Sequence, residues 1–250
     1  MPLQLKLLGV KIDRVTMEET IDAVKNLIRS KGFYGRYICV ANVDSVMGSR
    51  RDERLMSALN SSFLTVADGM PLVWAGRFLG CSVRERVAGP DLMIDLIRIS
   101  DHEGFTHFFY GSSEEVLAAL EKKLRERFPG TKIVGSLAPP FRPITLEEDR
   151  KMVEAINAAS PDILWVGLGA PKQELWMAEH HGRVKVPVMI GVGAAFDFHA
   201  GSKKRAPFWM QKNGLEWAWR LSQEPGRLWR RYLIDDFPFF WHVLKQKYLG

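Results

Sequence analysis

The chain of 250 residues carries 35 Lys and Arg against 29 Asp and Glu, a formal charge of +6, with 46% hydrophobic and 26% charged residues. That mixture excludes a disordered polypeptide and leaves ample capacity for a large core. Two cysteines, Cys39 and Cys81, are too few for a disulfide framework, and the absence of C-x-x-C spacing suits a reducing, cytosolic compartment. The N-terminus meets acidic residues too early for a secretory signal, and no run approaches the roughly 18 uncharged apolar residues of a spanning helix.

Over the first two hundred residues, short apolar runs alternate with amphipathic stretches. Thr16 with Glu19 forms a capping-box pattern at the start of a helix predicted over 17–30. Strands are predicted at 37–43 and 63–67, then a helix at 70–79 and another at 91–102. A strand at 106–110 leads to a helix at 113–128, and a strand at 132–135 precedes a helix at 146–159, where Thr145 and Glu148 repeat the capping pattern. A strand at 163–167, a helix at 172–181 and a strand at 186–192 complete the series. This alternation predicts an α/β fold with a Rossmann-like, mostly parallel sheet flanked by helices, occupying residues 1–200.

Ligands of such sheets bind beyond the carboxyl ends of the strands, so the residues that follow each apolar run are the candidates. They include Asn42-Val-Asp44, Asp68-Gly-Met-Pro71, Gly111-Ser-Ser113 and Pro139-Pro-Phe141, then Gly167-Leu-Gly-Ala-Pro-Lys-Gln-Glu174 and Gly191-Val-Gly-Ala-Ala-Phe-Asp197. Asp68 reads either as the N-cap of the next helix or as a general base aimed into the crevice. The two Gly-x-Gly starts do not complete a dinucleotide fingerprint, because Lys172 and Phe196 stand at the third glycine position, which argues against a nicotinamide cofactor. A helix N-terminus behind glycine-rich backbone still suits a phosphate. Lys172 and Gln173 are therefore assigned to a nucleotide-sugar pocket, together with Gly111, Gly169 and Asp197. The six histidines show no metal-ligand spacing and no D-x-D box stands out, so neither metal nor cofactor is expected.

Residues 201–250 differ. They hold ten Lys and Arg against four acids, so the whole net charge resides there, along with five of the eight Trp. Helices are predicted at 208–222 and from Pro225 towards Tyr248, with Arg227, Arg230 and Arg231 at i, i+3 and i+4 on one face. Basic and aromatic residues at this density predict an interfacial appendage on an anionic membrane surface. Nucleic-acid binding uses the same residue types and is the rival reading. Truncation before Arg205 is expected to leave a folded core.

With these blocks in this order, the sequence closely resembles the bacterial WecG/TagA/CpsF glycosyltransferase family over nearly the whole chain. The resemblance rests on Asn42-Val-Asp44, Asp68-Gly-Met-Pro-Leu-Val-Trp74, Glu85-Arg-Val-Ala-Gly-Pro-Asp91 and Pro139-Pro-Phe141. It continues through the two glycine-rich blocks to Arg205-Ala-Pro, Glu216-Trp and Glu224-Pro-x-Arg-Leu228. It implies a metal-independent, inverting enzyme on the cytoplasmic membrane face. The donor is a UDP-sugar of the N-acetylmannosamine, N-acetylmannosaminuronate or glucose type. The acceptor is a polyprenyl-diphosphate-linked sugar used for teichoic acid or other surface polysaccharide, and a homo-oligomer is compatible with this reading while nucleic acid is not a partner. By the same resemblance Asp68 is the general base, and Asn42, Arg86 and Gln173 line the pocket. Arg220, Arg227 and Arg230 bind the lipid diphosphate. Val40 stands where some members carry a hydroxyl residue two places before the Asn.

Overall fold

The computed structural model describes residues 3–249 other than Lys31, Phe33 and Ser82. Met1, Pro2 and Gly250, at the outer ends of the two expected segments, lie outside it. The chain opens with a hairpin that the strand series above omits: β1 (Gln4–Leu7) pairs antiparallel with β2 (Val10–Asp13). Leu5, Leu7, Val10 and Ile12 are buried while Gln4, Lys6 and Lys11 face solvent, the period of two that makes a one-sided ribbon. Its turn needs positive φ at two successive positions, Leu8 (+50°) and Gly9 (+97°), of which glycine accepts its value without strain.

Helix α1 (Met17–Arg29) begins with the expected capping box, in which Thr16 and Glu19 satisfy each other's backbone N–H at 3.1 and 2.9 Å. Strand β3 (Arg36–Ala41) stops two residues short of the predicted strand, because Asn42 caps a helix α2 (Val43–Ser49) that the sequence reading missed. Helix α3 (Glu53–Ser61), also unforeseen, leads to β4 (Leu64–Ala67). There follow α4 (Met70–Phe78), α5 (Gly89–Glu103), β5 (Thr106–Gly111), α6 (Glu114–Arg127), β6 (Lys132–Leu137) and α7 (Leu146–Ala159), the last opened by the second capping box. Strand β7 (Ile163–Gly167), α8 (Lys172–His180), β8 (Val188–Gly191) and a short α9 (Ala195–Ala200) close this part.

The six strands β3–β8 form one sheet in the order β4-β3-β8-β7-β5-β6, every pair parallel. Parallel strands covered on both faces read as continuous apolar runs, and their alternate residues feed two cores. Tyr37, Cys39 and Ala41 of β3 point into a core shared with the hairpin, α3, α4 and α8. Ile38 and Val40 point into the other, built from α1, α5, α6 and α9. Because all strands run the same way, the loops after β3, β4, β5, β7 and β8 gather at a single edge, the arrangement that makes a pocket there possible.

The C-terminal segment departs from the two predicted helices. It forms α10 (Phe208–Lys212), α11 (Glu216–Gln223), α12 (Pro225–Arg230), a π-helical turn (Arg231–Asp235) and α13 (Phe239–Leu249). The helix expected over 208–222 is broken at Gly214, whose φ of +68° no right-handed helix tolerates and where a Cβ would lie 2.6 Å from the Trp74 ring. The second breaks ahead of Pro238. Helix α13 returns to the body of the protein: Phe239 and Val243 are buried in the first core, and Gln246 accepts from the Leu8 N–H and donates to the Lys6 carbonyl. The appendage therefore ends inside the core it was expected to leave intact on truncation. Removing it would uncover the hairpin and the face of that core.

Candidate active site

A cavity of about 880 Å³ lies at the carboxyl edge of the sheet, at the large end of what a single small-molecule site needs. Asp68 stands on its wall at the end of β4, its backbone tied to β3 by a 2.7 Å bond from the Asp68 N–H to the Ala41 carbonyl. Of the two readings of this turn, the capping one fails. Gly69, at φ +107°, is the N-cap of α4, and no side chain caps that helix. The carboxylate is left for the cavity. Burial pushes its pKa up to about 6, and the nearby Glu216 adds to the rise, while Arg86, Arg220 and Arg205 oppose it. A carboxylate poised near 6 is charged at neutral pH and more basic than an exposed aspartate, which is what a general base requires.

Asn42 lines the same cavity, and its Oδ1 accepts from the Ser45 N–H (3.1 Å), so the cap and the site share one side chain and the amide NH₂ is what remains for a ligand. Gln173, also lining, is almost wholly buried. Its Oε1 accepts from the Gly193 N–H at 2.9 Å and its Nε2 donates to Glu174 at 3.0 Å, so it ties the loop after β7 to the loop after β8. Gly169 (φ +78°) and Lys172 line the pocket around the start of α8, as does Asp197 on α9, where it accepts from Ser202. Val40 borders the cavity beside them.

Gly111 does not line the cavity itself. Its backbone passes so close to β7 that a Cβ would fall 2.5 Å from the Gly167 carbonyl carbon, and this close approach puts Tyr110, Ser112 and Ser113 on the wall instead. Arg86 also stands behind the wall, 3.0 Å from Glu216 of α11 and 3.5 Å from Asp91. Arg205 donates to both oxygens of Asp91, at 2.8 Å to the Oδ2 that Arg86 also approaches, and comes within 3.9 Å of Glu216. Burial works to raise Asp91, but the hydrogen bonds and charge of Arg205 prevail and hold its carboxyl below the usual range. Two arginines and two carboxylates thus join the sheet edge to the C-terminal segment directly beside Asp68.

From that segment Arg220, Arg227 and Arg231 reach the cavity, whereas Arg230 is exposed and outside its lining. Successive residues of a helix point about 100° apart, so Arg230 and Arg231 cannot both face one wall. Glu216, Arg205 and Arg231 stand in the sequence reading, the first two in the Glu216-Trp and Arg205-Ala-Pro blocks and the third on the face of Arg227, but that reading assigns none of them to the site. The signal for Glu216 was present, since it is one of only four acids in a basic segment. Arg231 shares the i, i+3, i+4 face with Arg227 and Arg230, and that pattern does not choose between the two neighbours.

Outside the cavity, the C-terminal segment exposes Trp209, Trp217, Trp229, Ile234, Phe237 and Trp241, among others, and of its aromatics only Phe239 is fully buried. An exposed apolar patch rimmed by Lys and Arg marks an interaction surface. Among the described residues no helix is long and apolar enough to cross a membrane, and no three His, Cys, Asp or Glu side chains are grouped to hold a metal ion.

A parallel sheet with a carboxylate and several arginines at its carboxyl edge places the chain in the Rossmann-like class of α/β folds. Within that class the sequence is specific: residues 5–250 match the model of the glycosyl transferase WecG/TagA/CpsF family, and the chain belongs to it. It is similar to the N-acetylglucosaminyldiphosphoundecaprenol N-acetyl-beta-D-mannosaminyltransferases of Staphylococcus aureus strains MW2 and NCTC 8325 / PS 47. Each is 30% identical over 233 residues, covering 93% of this chain and 90% of the relative.

Proposed function

We propose that this glycosyltransferase moves an N-acetylmannosaminyl or closely related sugar from a UDP-sugar to a polyprenyl-diphosphate-linked GlcNAc acceptor at a membrane surface, in teichoic acid or other surface-polysaccharide synthesis. The acceptor assignment follows the activity for which the Staphylococcus aureus relatives are named. The observation that carries the reading is the Asp68 carboxylate, uncommitted to the helix cap and held near pKa 6 on a cavity lined by Arg220 and Arg227.

In the proposed step the acceptor hydroxyl oxygen attacks the anomeric carbon on the face opposite UDP. The new C–O bond forms as the bond to the diphosphate breaks, the electron pair leaves with UDP, and the hydroxyl proton passes to Asp68. Inversion at the anomeric carbon follows from that geometry. Charge on the departing diphosphate is met by arginine, by Lys172 and by the dipole at the N-terminus of α8, without a required metal. The exposed aromatic and basic surface of residues 201–249 sits at the headgroup level of the inner membrane face, bringing the cavity to the lipid-linked substrate.

The test is UDP release by the full chain from a panel of UDP-sugars, with a short-chain polyprenyl-diphosphate-GlcNAc acceptor, with and without EDTA. Acceptor-dependent, EDTA-insensitive release with one donor is expected. Release that needs no acceptor, or that EDTA abolishes, refutes the proposed reaction.

A further inference from the structure

A second concavity, of about 350 Å³, shares no lining residue with the cavity at the sheet edge. Three separate stretches of chain build it: Lys6, Leu8 and Gly9 of the hairpin, Arg50 at the end of α2, and His242, Lys245 and Gln246 of α13. The Gln246 amide clamps the groove together, accepting from the Leu8 N–H at 2.8 Å and donating to the Lys6 carbonyl at 2.6 Å. No Asp or Glu lines the groove, and among the described residues the side chains of Lys6, Arg50, His242 and Lys245 make no hydrogen bond or ion pair. Their neighbours in sequence behave otherwise: Arg51 pairs with Asp235 at 3.1 Å, and Lys247 donates to the Phe78 carbonyl.

Unpaired surface cations ordinarily point apart into water, but these converge. His242 registers the crowding: desolvation, then Arg50 and Lys245, hold its pKa below the ordinary histidine value. Like charges gathered in a concavity repel, and an anion seated among them removes that cost. A planar carboxylate is satisfied by one guanidinium fork. A phosphate spreads its oxygens tetrahedrally, which suits a fork and two ammonium groups approaching from different walls. The source of the phosphate is indicated by the same helix. Phe240, Trp241, Leu244 and Tyr248 of α13 are exposed, and the Lys245 ammonium lies 5.4 Å from the centre of the Trp241 ring. Apolar side chains beside an anion site match an amphiphile, whose tails meet the aromatics while its headgroup meets the cations.

We propose that this groove binds the phosphate of an anionic phospholipid headgroup through Lys6, Arg50 and Lys245. The lipid source rests on the membrane reading of the C-terminal surface, while the phosphate chemistry stands on the groove alone. Two of the three walls belong to the body of the protein, so the contact fixes how the body is oriented on the surface, which exposed aromatics of the C-terminal segment do not do by themselves.

The experiment uses the full chain and two sources of phosphate: vesicles of phosphatidylcholine with or without phosphatidylglycerol, and soluble glycerol 1-phosphate. Vesicle sedimentation gives the lipid affinity. The NMR titration of the His242 ring, assigned by its loss in H242Q, reports on the groove itself. Phosphatidylglycerol is expected to tighten vesicle binding by the wild type, and K6Q/R50Q/K245Q to weaken that binding about a hundredfold, the usual worth of three basic residues near an anionic surface. K122Q/K132Q/K185Q removes the same charge from exposed lysines of the α/β layer and should lose a few-fold at most. Glycerol 1-phosphate should raise the His242 pKa in the wild type, since an anion favours the imidazolium, and leave it unmoved in K6Q/R50Q/K245Q. The three substituted groove positions are exposed, and melting curves establish that each variant is folded.

Equal losses in the two triple variants would reduce the effect to net charge and overturn the site, as would a His242 titration that neither source of phosphate moves. If glycerol 1-phosphate moves His242 but K6Q/R50Q/K245Q binds vesicles as the wild type does, the lipid assignment falls. If W229S/F237S abolishes vesicle binding while K6Q/R50Q/K245Q keeps it, the groove falls and the membrane reading stands. If the wild type binds no vesicle of either composition, the membrane reading itself falls and takes the lipid assignment with it.

Discussion

The α/β layer and the C-terminal segment spend their apolar residues in opposite ways. In the layer, β3, β4, β5, β7 and β8 bury nearly every side chain, while the edge strand β6 does not, and most charge lies on exposed helix faces. In residues 201–249 most large apolar groups face outward, Leu228, Phe239 and Val243 being buried, and Arg220, Arg227 and Arg231 turn to the cavity. The first region is stabilised by its own core. The second is held by the buried Leu228, Phe239 and Val243, by α13 lying on the hairpin, and by ion pairs such as Arg86–Glu216, Arg51–Asp235 and Arg231–Asp44. A fold that stops its core before completing its site leaves the completion to a region free to face a second phase.

The sharpest way to test this division is at Asp68, where the two regions meet. Asp68→Asn should lower turnover by about 10²–10⁴, the usual worth of a general base, with UDP affinity little changed. The same variant should melt higher than the wild type above pH 6. A carboxyl raised to about 6 when folded, against an unfolded value near 3.9, loses stability as pH rises between those values, and the loss is complete above the folded pKa. That cost is on the order of 2–3 kcal/mol. Below pH 4 both forms should melt alike, and a variant no more stable at pH 8 than at pH 4 relative to wild type would contradict the buried, raised carboxyl.

Next in size is the anchor. Phe239→Ala empties a fully buried position and should destabilise the protein by about 3–5 kcal/mol in denaturant titration. A loss below about 1 kcal/mol would mean that the segment is dispensable to the core. The exposed aromatics should behave in the contrary sense. Replacing Trp229 and Phe237 together by Ser should change stability by no more than about 0.5 kcal/mol per site, yet sharply reduce flotation with vesicles containing anionic lipid. Retained flotation would remove the membrane role from this surface, and salt-sensitive nucleic-acid binding lost in the same variant would support the rival reading in its place.

The smallest expected effect concerns the joint itself. Glu216 raises the Asp68 carboxyl and also neutralises Arg86 and Arg205. Glu216→Gln removes the negative charge and frees two positive ones, so the acid limb of kcat/KM, near pH 6 in the wild type, should move to lower pH by under one unit. A shift to higher pH would show that Glu216 acts on Asp68 mainly through tail docking.

Much of this was legible before any coordinates. Thr16–Glu19 and Thr145–Glu148 were recognisable because a capping box is a contact three residues long. The grouping of Asp68, Gly169, Lys172 and Asp197 was legible because a parallel sheet delivers every strand's exit to one edge. Asn42 was named for the pocket but not as a cap, and α2 behind it went unseen, since VDSVMGS offers a seven-residue helix too little periodicity to detect. The hairpin had the alternation of a strand pair, hidden by its position at the chain start.

Local pattern therefore determined the α/β series, the loops that carry the chemistry, and the concentration of charge and aromatics in the last fifth of the chain. These depend on residues within one or two turns of each other. Tertiary structure alone decided the rest. Asp68 is free of its helix cap because Gly69 takes that position, and its carboxyl rises chiefly through burial, with Glu216, 148 residues further along, adding to the rise. Arg231 and not Arg230 lines the cavity, a choice between adjacent arginines that no local pattern specifies. Burial and rotation are set by contacts between segments distant in sequence, and no short-range pattern encodes them.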